Sequence, residues 1–199
     1  MSTLSPDART RLRAGLDSIA SDPSHADAAF AAIVRWLTEP AFAPYAPLLQ
    51  ALVDAASWDL LLDSFYRVLP FGTGGRRGPV GLGPNRMNPW TLGTSVQGNI
   101  EFLRDRFGPD APLSVVIASD VRVFRDLREA FPPSITNPLL GMSSIDLARQ
   151  AAAIYVANGV DVAMAEPGTG RYLSTPELSF LIRRLGAQGG LNVSASHNH

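Results

Sequence analysis

Leu113-Ser114-Val115-Val116-Ile117-Ala118 is a run of five apolar residues broken by one serine, with three β-branched side chains in succession. Such a run, free of glycine and proline, predicts a strand buried on both faces. Beyond it the pattern alternates. A loop with Asp120 and Arg122 leads to a short helix expected near Arg125–Phe131. Ser143 or Ser144 starts a helix through Val156, which Gly159 closes. Val160-Asp161-Val162-Ala163-Met164 is a second strand. Thr175-Pro176-Glu177 supplies a cap, a proline and an acid for a helix through Leu185. Gly186 to Gly190 turns the chain, and Leu191-Asn192-Val193-Ser194 is a third strand. Upstream, Thr91 is expected to cap a helix to Phe107, which Gly108 and Pro109 stop. Helices alternating with buried strands predict an α/β fold: a three-layer α/β/α sandwich with a mixed, largely parallel sheet. Ligands of such sheets gather at the carboxyl ends of the strands. Asp120, Glu166 and Ser196 each fall just past one.

The first seventy residues read differently, as an N-terminal helical segment. Ser5-Pro6-Asp7 caps a helix with Leu12, Leu16 and Ile19 on one face. Ser24 is expected to cap a second, with Phe30, Ile33, Val34 and Leu37 on its apolar side. Pro44 and Pro47 introduce a third through Leu48, Leu49, Leu52 and Val53. Ser57 is expected to cap a fourth, from Trp58 to Leu69, ended by Pro70. There is no internal repeat and no low-complexity tract.

The 199 residues are 46% hydrophobic and 18% charged, the latter below the roughly 25% usual for soluble domains. So little surface charge fits a chain of which other parts cover some surface. Net charge is -1, which points to neither nucleic acid nor an anionic membrane as partner. Residues 1–60 carry 4 Arg against 7 acidic residues and residues 61–199 carry 13 against 11, a surplus compatible with a small anionic substrate. All basic residues are Arg. Without cysteine, disulfides and thiolate metal sites are excluded. The N-terminus lacks the apolar core of a signal peptide. The longest apolar stretch, Ala151 to Ala165, contains Asn158, Gly159 and Asp161 and is too short to span a bilayer. A cytoplasmic protein is expected.

Two segments carry candidate chemistry. Phe71-Gly72-Thr73-Gly74-Gly75-Arg76-Arg77-Gly78 has four glycines in seven positions, letting the backbone approach a ligand and turn N–H groups toward an anion. Its two Arg can supply charge-assisted phosphate contacts. It is neither GxGxxG nor GxxxxGK[ST], so neither a dinucleotide site nor a P-loop follows. A plain surface loop is the alternative. The second segment is Ser194-Ala195-Ser196-His197-Asn198-His199. Adjacent Ser and His do not make a triad, which needs side chains meeting across the fold, and no GxSxG elbow is present. His197 and His199 share a face if extended, but two His alone make a weak metal site. Asp120 and Arg122 read equally as a structural ion pair and as substrate contacts.

Together these segments resemble the first domain of the α-D-phosphohexomutase superfamily, the phosphoglucomutases and phosphomannomutases. The family's phosphoserine loop reads Thr-Ala-Ser-His-Asn-Pro, in whose place Ser194-Ala195-Ser196-His197-Asn198-His199 stands. Its early loop, Phe-Gly-Thr-x-Gly-x-Arg-Gly, is matched by Phe71 to Gly78. Its Tyr-Asp-x-Arg element resembles Ser119-Asp120-Val121-Arg122. The helix ending Ala-x-Asn-Gly resembles Val156-Ala157-Asn158-Gly159, and Ser-Thr-Pro-x-Leu matches Ser174-Thr175-Pro176-Glu177-Leu178. Five motifs in order cover residues 71–199. Gly83-Pro84-Asn85-Arg86-Met87-Asn88 further resembles the branch that includes phosphopentomutase-active members, and residues 1–60 fit its helical extension loosely. Ser194 in place of Thr keeps a hydroxyl. His199 in place of Pro removes a fixed φ and bears on the substrate class.

The resemblance implies a helical extension over 1–69 and a first mutase domain over 70–199, truncated at the phosphoserine loop. It implies that Ser196 carries a phosphoryl group and moves phosphate between C1 and C6 of a sugar phosphate, or C5 of a pentose, through a sugar bisphosphate that is intermediate and activator. It gives Arg77 the task of holding the phosphoserine charge and His197 that of orienting the loop or moving a proton. Asn198, Thr73 and Gly74 become phosphate contacts. It implies Mg2+, to which this chain would give a phosphoryl oxygen on Ser196. The family's Asp-Gly-Asp-x-Asp metal loop and Gly-Glu-x-Ser-Gly sugar loop are absent from these 199 residues. The chain is therefore expected to be an N-terminal piece, inactive alone, whose partners are a sugar phosphate and later domains of the same chain. A non-catalytic sugar-phosphate-binding or interaction module is the competing reading.

Overall fold

Val115, Val116 and Ile117 form the middle of β1, Leu113–Ser119, the central strand of a three-stranded sheet. A computed structural model of the chain describes residues 4–126, 129–166 and 168–194. The order is β2-β1-β3, with β2 over Val160–Met164 and β3 over Gly189–Val193. Leu113 faces Val160 across one parallel pairing, and Ile117 lies between Met164 and Leu191. Every pairing among the described strands is parallel.

Period-two alternation along β1 divides the core into two layers. Leu113, Val115 and Ile117 face one side. There they pack with Leu92, Val96, Ile100 and Leu103 of α5 (Pro89–Phe107) and with Leu147, Ala148, Ala151 and Tyr155 of α6 (Ser144–Ala157). Val116 and Ala118 face the other side, toward Leu178 and Ile182 of α7 (Thr175–Leu185). The contact there is close enough that a Cβ on Gly190 would lie 2.5 Å from the Ile182 side chain. The layers are thus helix, sheet and helix. The chain runs outward from β1 to β2 through α6, then back past β1 to β3 through α7. Two crossovers of the same hand travelling in opposite directions put their helices on opposite faces.

Capping fixes where these helices begin. Ser143 accepts from the Asp146 N–H while Asp146 accepts from the Ser143 N–H, and Ser174 and Glu177 do the same for α7. The cap of α7 is therefore Ser174, with Thr175 one position inside. These hydrogen bonds hold the Asp146 and Glu177 carboxyls below their ordinary pKa. α5 starts at Pro89, so Thr91 is a buried residue of its first turn and not its cap. The expected helix at Arg125–Phe131 does not form in its described residues. Asp126 and Glu129 have φ of 43° and 49°, and the Asp126 carboxylate takes the N–H groups of Ala130 and Phe131 at 3.1 and 3.2 Å. A local side chain has outbid the helical ladder for those donors.

The first helices are α1 (Pro6–Ile19), α2 (Pro23–Thr38), a 3₁₀ turn (Pro40–Tyr45), α3 (Ala46–Asp54) and α4 (Trp58–Phe65). Asp22, and not Ser24, caps α2, accepting from the Ser24 N–H at 2.8 Å with Pro23 in the first turn. Trp36 is the centre of their core, stacked on Phe42 at 4.3 Å and edge-on to Phe65. Contacts divide the described chain into two compact units, one up to Asn88 together with 125–140, the other 89–124 together with 141–194. Packing therefore joins residues 70–88 to the helices. No helix among the described residues is long and apolar enough to cross a membrane.

Candidate active site

The glycine–arginine segment is a hairpin-like tip on a firm base. Gly72 N–H donates to Gly75 O at 2.8 Å and Phe71 pairs with Arg76, so Thr73 and Gly74 occupy an exposed turn. A Cβ on Gly74 or Gly75 would enter open space, and neither residue has left-handed φ. Glycine provides a bare backbone at this tip, where N–H groups stay accessible to an anion. Gly78 has a packing reason instead, since a Cβ there would lie 2.9 Å from Leu69. Arg76 is half-buried and burial lowers its pKa, though a guanidinium stays charged. Arg77, one residue on, is exposed.

The base is built by residues that the patterns of the sequence did not mark as structural. α4 stops at Phe65, four residues before the expected Leu69, because the loop captures its last carbonyls. Asn85 N–H donates to Ser64 O at 3.0 Å and Asn85 Nδ2 to Asp63 O at 2.7 Å. Leu69 N–H in turn donates to Pro84 O at 2.8 Å. Asn88 Nδ2 donates to the carbonyls of Gly81 and Gly83 at 2.9 and 2.8 Å, closing the loop on itself.

In the sheet unit, Asp120 and Ser194 stand just past the carboxyl ends of neighbouring strands, β1 and β3. Asp120 N–H donates to Val193 O at 3.1 Å. The Asp120 carboxylate accepts from Ser144 Oγ at 2.5 Å and from the Arg122 N–H at 3.1 Å, and it pairs with the Arg122 guanidinium at 3.4 Å. These contacts tie the end of β1 to the start of α6 and favour the structural reading of Asp120 and Arg122. Glu166, past β2, lines an open cleft of about 600 Å3 floored by Val116, Ala163 and Leu181. Ser196, His197 and Asn198 lie outside the described residues. Among the described residues no three His, Asp or Glu side chains gather to hold a metal ion. No step below runs through a metal ion.

Residues 142–199, from the start of α6 through β3 and Ser196, match the family described as phosphoglucomutase/phosphomannomutase, alpha/beta/alpha domain I. Residues 142–199 belong to the α-D-phosphohexomutase superfamily. It is similar to a phosphoglucomutase of Staphylococcus haemolyticus, 32% identical over 151 residues, which are 76% of this chain and 23% of that protein. A phosphoglucomutase of Staphylococcus saprophyticus is 34% identical over 67% of this chain and 20% of its own length. A phosphopentomutase of Mus musculus is 30% identical over 74% of this chain and 21% of its own. The chain thus spans about a fifth of the length of the curated phosphohexomutase relatives it matches. No solved structure matches it.

Proposed function

We propose that this chain supplies the phosphoryl-carrying domain of a sugar-phosphate mutase. The observation that supports the reading is that Ser194, the last described residue, stands just past β3 at the carboxyl edge of a parallel sheet, and Ser196 follows it by two positions in the sequence. Phosphoserine at 196 is attacked at phosphorus by a hydroxyl oxygen of a sugar monophosphate. The bond from Ser196 Oγ to phosphorus breaks, the proton of the sugar hydroxyl ends on the released Ser196 Oγ, and a sugar bisphosphate forms. After the sugar reorients, Ser196 Oγ attacks its other phosphate, and the isomeric monophosphate leaves. Phosphoryl transfer of this kind is catalysed chiefly by position and charge stabilisation.

The other roles follow from charge and reach. The phosphoserine carries roughly 1.5 to 2 negative charges, and Arg77 offers a fork of N–H donors to them. Thr73 Oγ1 and the Gly74 N–H add phosphate contacts from the exposed tip. His197 orients the loop or passes the hydroxyl proton, and Asn198 donates amide hydrogen bonds. Mg2+ enters only as an ion that a phosphoryl oxygen on Ser196 would help to hold. Later domains of a longer chain would contribute the sugar contacts, and a cytoplasmic location belongs to the same proposal.

A substrate panel tests this on the full chain, meaning the longer chain that would carry those later domains. Glucose 1-phosphate, mannose 1-phosphate and a pentose 1-phosphate are offered with Mg2+ and the matching bisphosphate. Isomerisation of at least one is the expected result. Binding of all three with no turnover would favour a non-catalytic sugar-phosphate module and overturn the mutase.

A further inference from the structure

The Gly83–Asn88 segment, which the mutase mechanism does not use, is held by hydrogen bonds on both sides. Arg86 is only 7% exposed, and its guanidinium donates to the Asp63 carboxylate and to Asn85 O at 3.1 Å. A third bond reaches Asp63 O at 3.3 Å. Asn85, 5% exposed, bonds the backbone of Asp63 and Ser64 and accepts from Arg67 Nε at 3.2 Å. Gly83 completes the docking. Its φ is +96°, and a Cβ there would lie 2.4 Å from Ser64 O, so loop backbone rests directly on helix backbone. On the other side, Met87 N–H donates to Pro79 O at 2.9 Å and Gly81 N–H to Met87 O at 3.2 Å. Between these anchors and Leu69 hangs the tip with Thr73, Gly74 and Arg77.

An ion pair between a buried Arg86 and an exposed Asp63 is poor evidence for stability. What it supplies is one defined geometry. The pair here joins the end of α4 to the stem of the glycine–arginine tip. We propose that Asp63, Asn85 and Arg86 are positioning residues that mount the phosphate-contacting tip on the N-terminal helices, which makes those helices part of the catalytic apparatus. The inference rests on the mutase reading for its catalytic consequence. A guanidinium displaced by about 1 Å from a transferring phosphoryl group can cost on the order of 100-fold in rate.

Asp63→Ala is the informative variant, since the Asp63 side chain is 64% exposed and its removal spares the core. In the full chain, kcat should fall about 10- to 100-fold with KM within about threefold of the parent. Asp63→Asn, which keeps an oxygen for Arg86, should recover most of it. Hydrogen exchange at Gly72, Gly81 and Met87 should quicken while the amides of α1 to α3 keep their protection. Asn85→Ala should act the same way. Parent-like kcat in Asp63→Ala alongside faster loop exchange would overturn the inference and leave the mutase reading intact. So would a rate loss accompanied by equal loss of protection in α1 to α3. If the parent turns over no sugar phosphate, the mutase reading fails instead. The mount is then judged on exchange alone: selective quickening of the loop supports it, and unchanged exchange overturns it.

Discussion

Ser196→Ala in the full chain is expected to abolish isomerisation of every sugar phosphate that the parent accepts. Alanine has no oxygen to carry the phosphoryl group, so neither half of the exchange has a route. This differs from the loss of a stabilising contact, where the chemical path survives at a lower rate. The variant should still bind a sugar monophosphate, because the sugar contacts assigned to later domains are untouched. Steady-state assay with a bisphosphate activator, paired with a binding isotherm, checks both halves. Turnover close to the parent's would remove Ser196 as the nucleophile.

Arg77→Ala has the second largest expected effect. The tip that holds Arg77 is short and turned by the Gly72–Gly75 hydrogen bond, and it projects Arg77 into an exposed position. Arginines that face a transferring phosphoryl group are worth about 10³- to 10⁵-fold in turnover. A loss of roughly 10³-fold in kcat is expected, with a smaller change in KM, because the charge it faces grows during transfer. Arg77→Lys should recover only part, since a point charge replaces a planar fork. Arg76→Ala should do much less if Arg76 belongs to the half-buried base. Single-turnover measurement of phosphoryl transfer separates these outcomes. A loss below about tenfold for Arg77→Ala would transfer the role to another cation.

The sheet was legible because its signal is local. Three β-branched residues at Val115–Ile117 mark β1, and the Ser143/Asp146 and Ser174/Glu177 boxes mark the two helix starts that follow it. Helix ends in the first unit were less legible because tertiary contacts set them. Nothing periodic in Trp58–Leu69 announces that Asn85 and Arg86 will take the carbonyls of Asp63 and Ser64 from about twenty residues away. The same long reach hid the mount of the glycine–arginine tip, although its residues stood out as a motif. At Asp126, a side-chain acceptor competes with helix in a stretch whose composition favours helix. The candidate site is marked in the sequence in another way. Glycine content and paired arginines point to an anion at residues 71–78, whereas Ser196 gained its role from the order of five motifs, not from chemistry visible in Ser-His-Asn alone.

The central claim is that Ser196 carries the phosphoryl group. The most direct measurement incubates the full chain with sugar bisphosphate bearing radiolabelled phosphate, then maps the labelled peptide. The account predicts label on Ser196 alone, discharged when unlabelled sugar monophosphate is added. Label at another residue, or label on Ser196 that the sugar monophosphate does not remove, would contradict it.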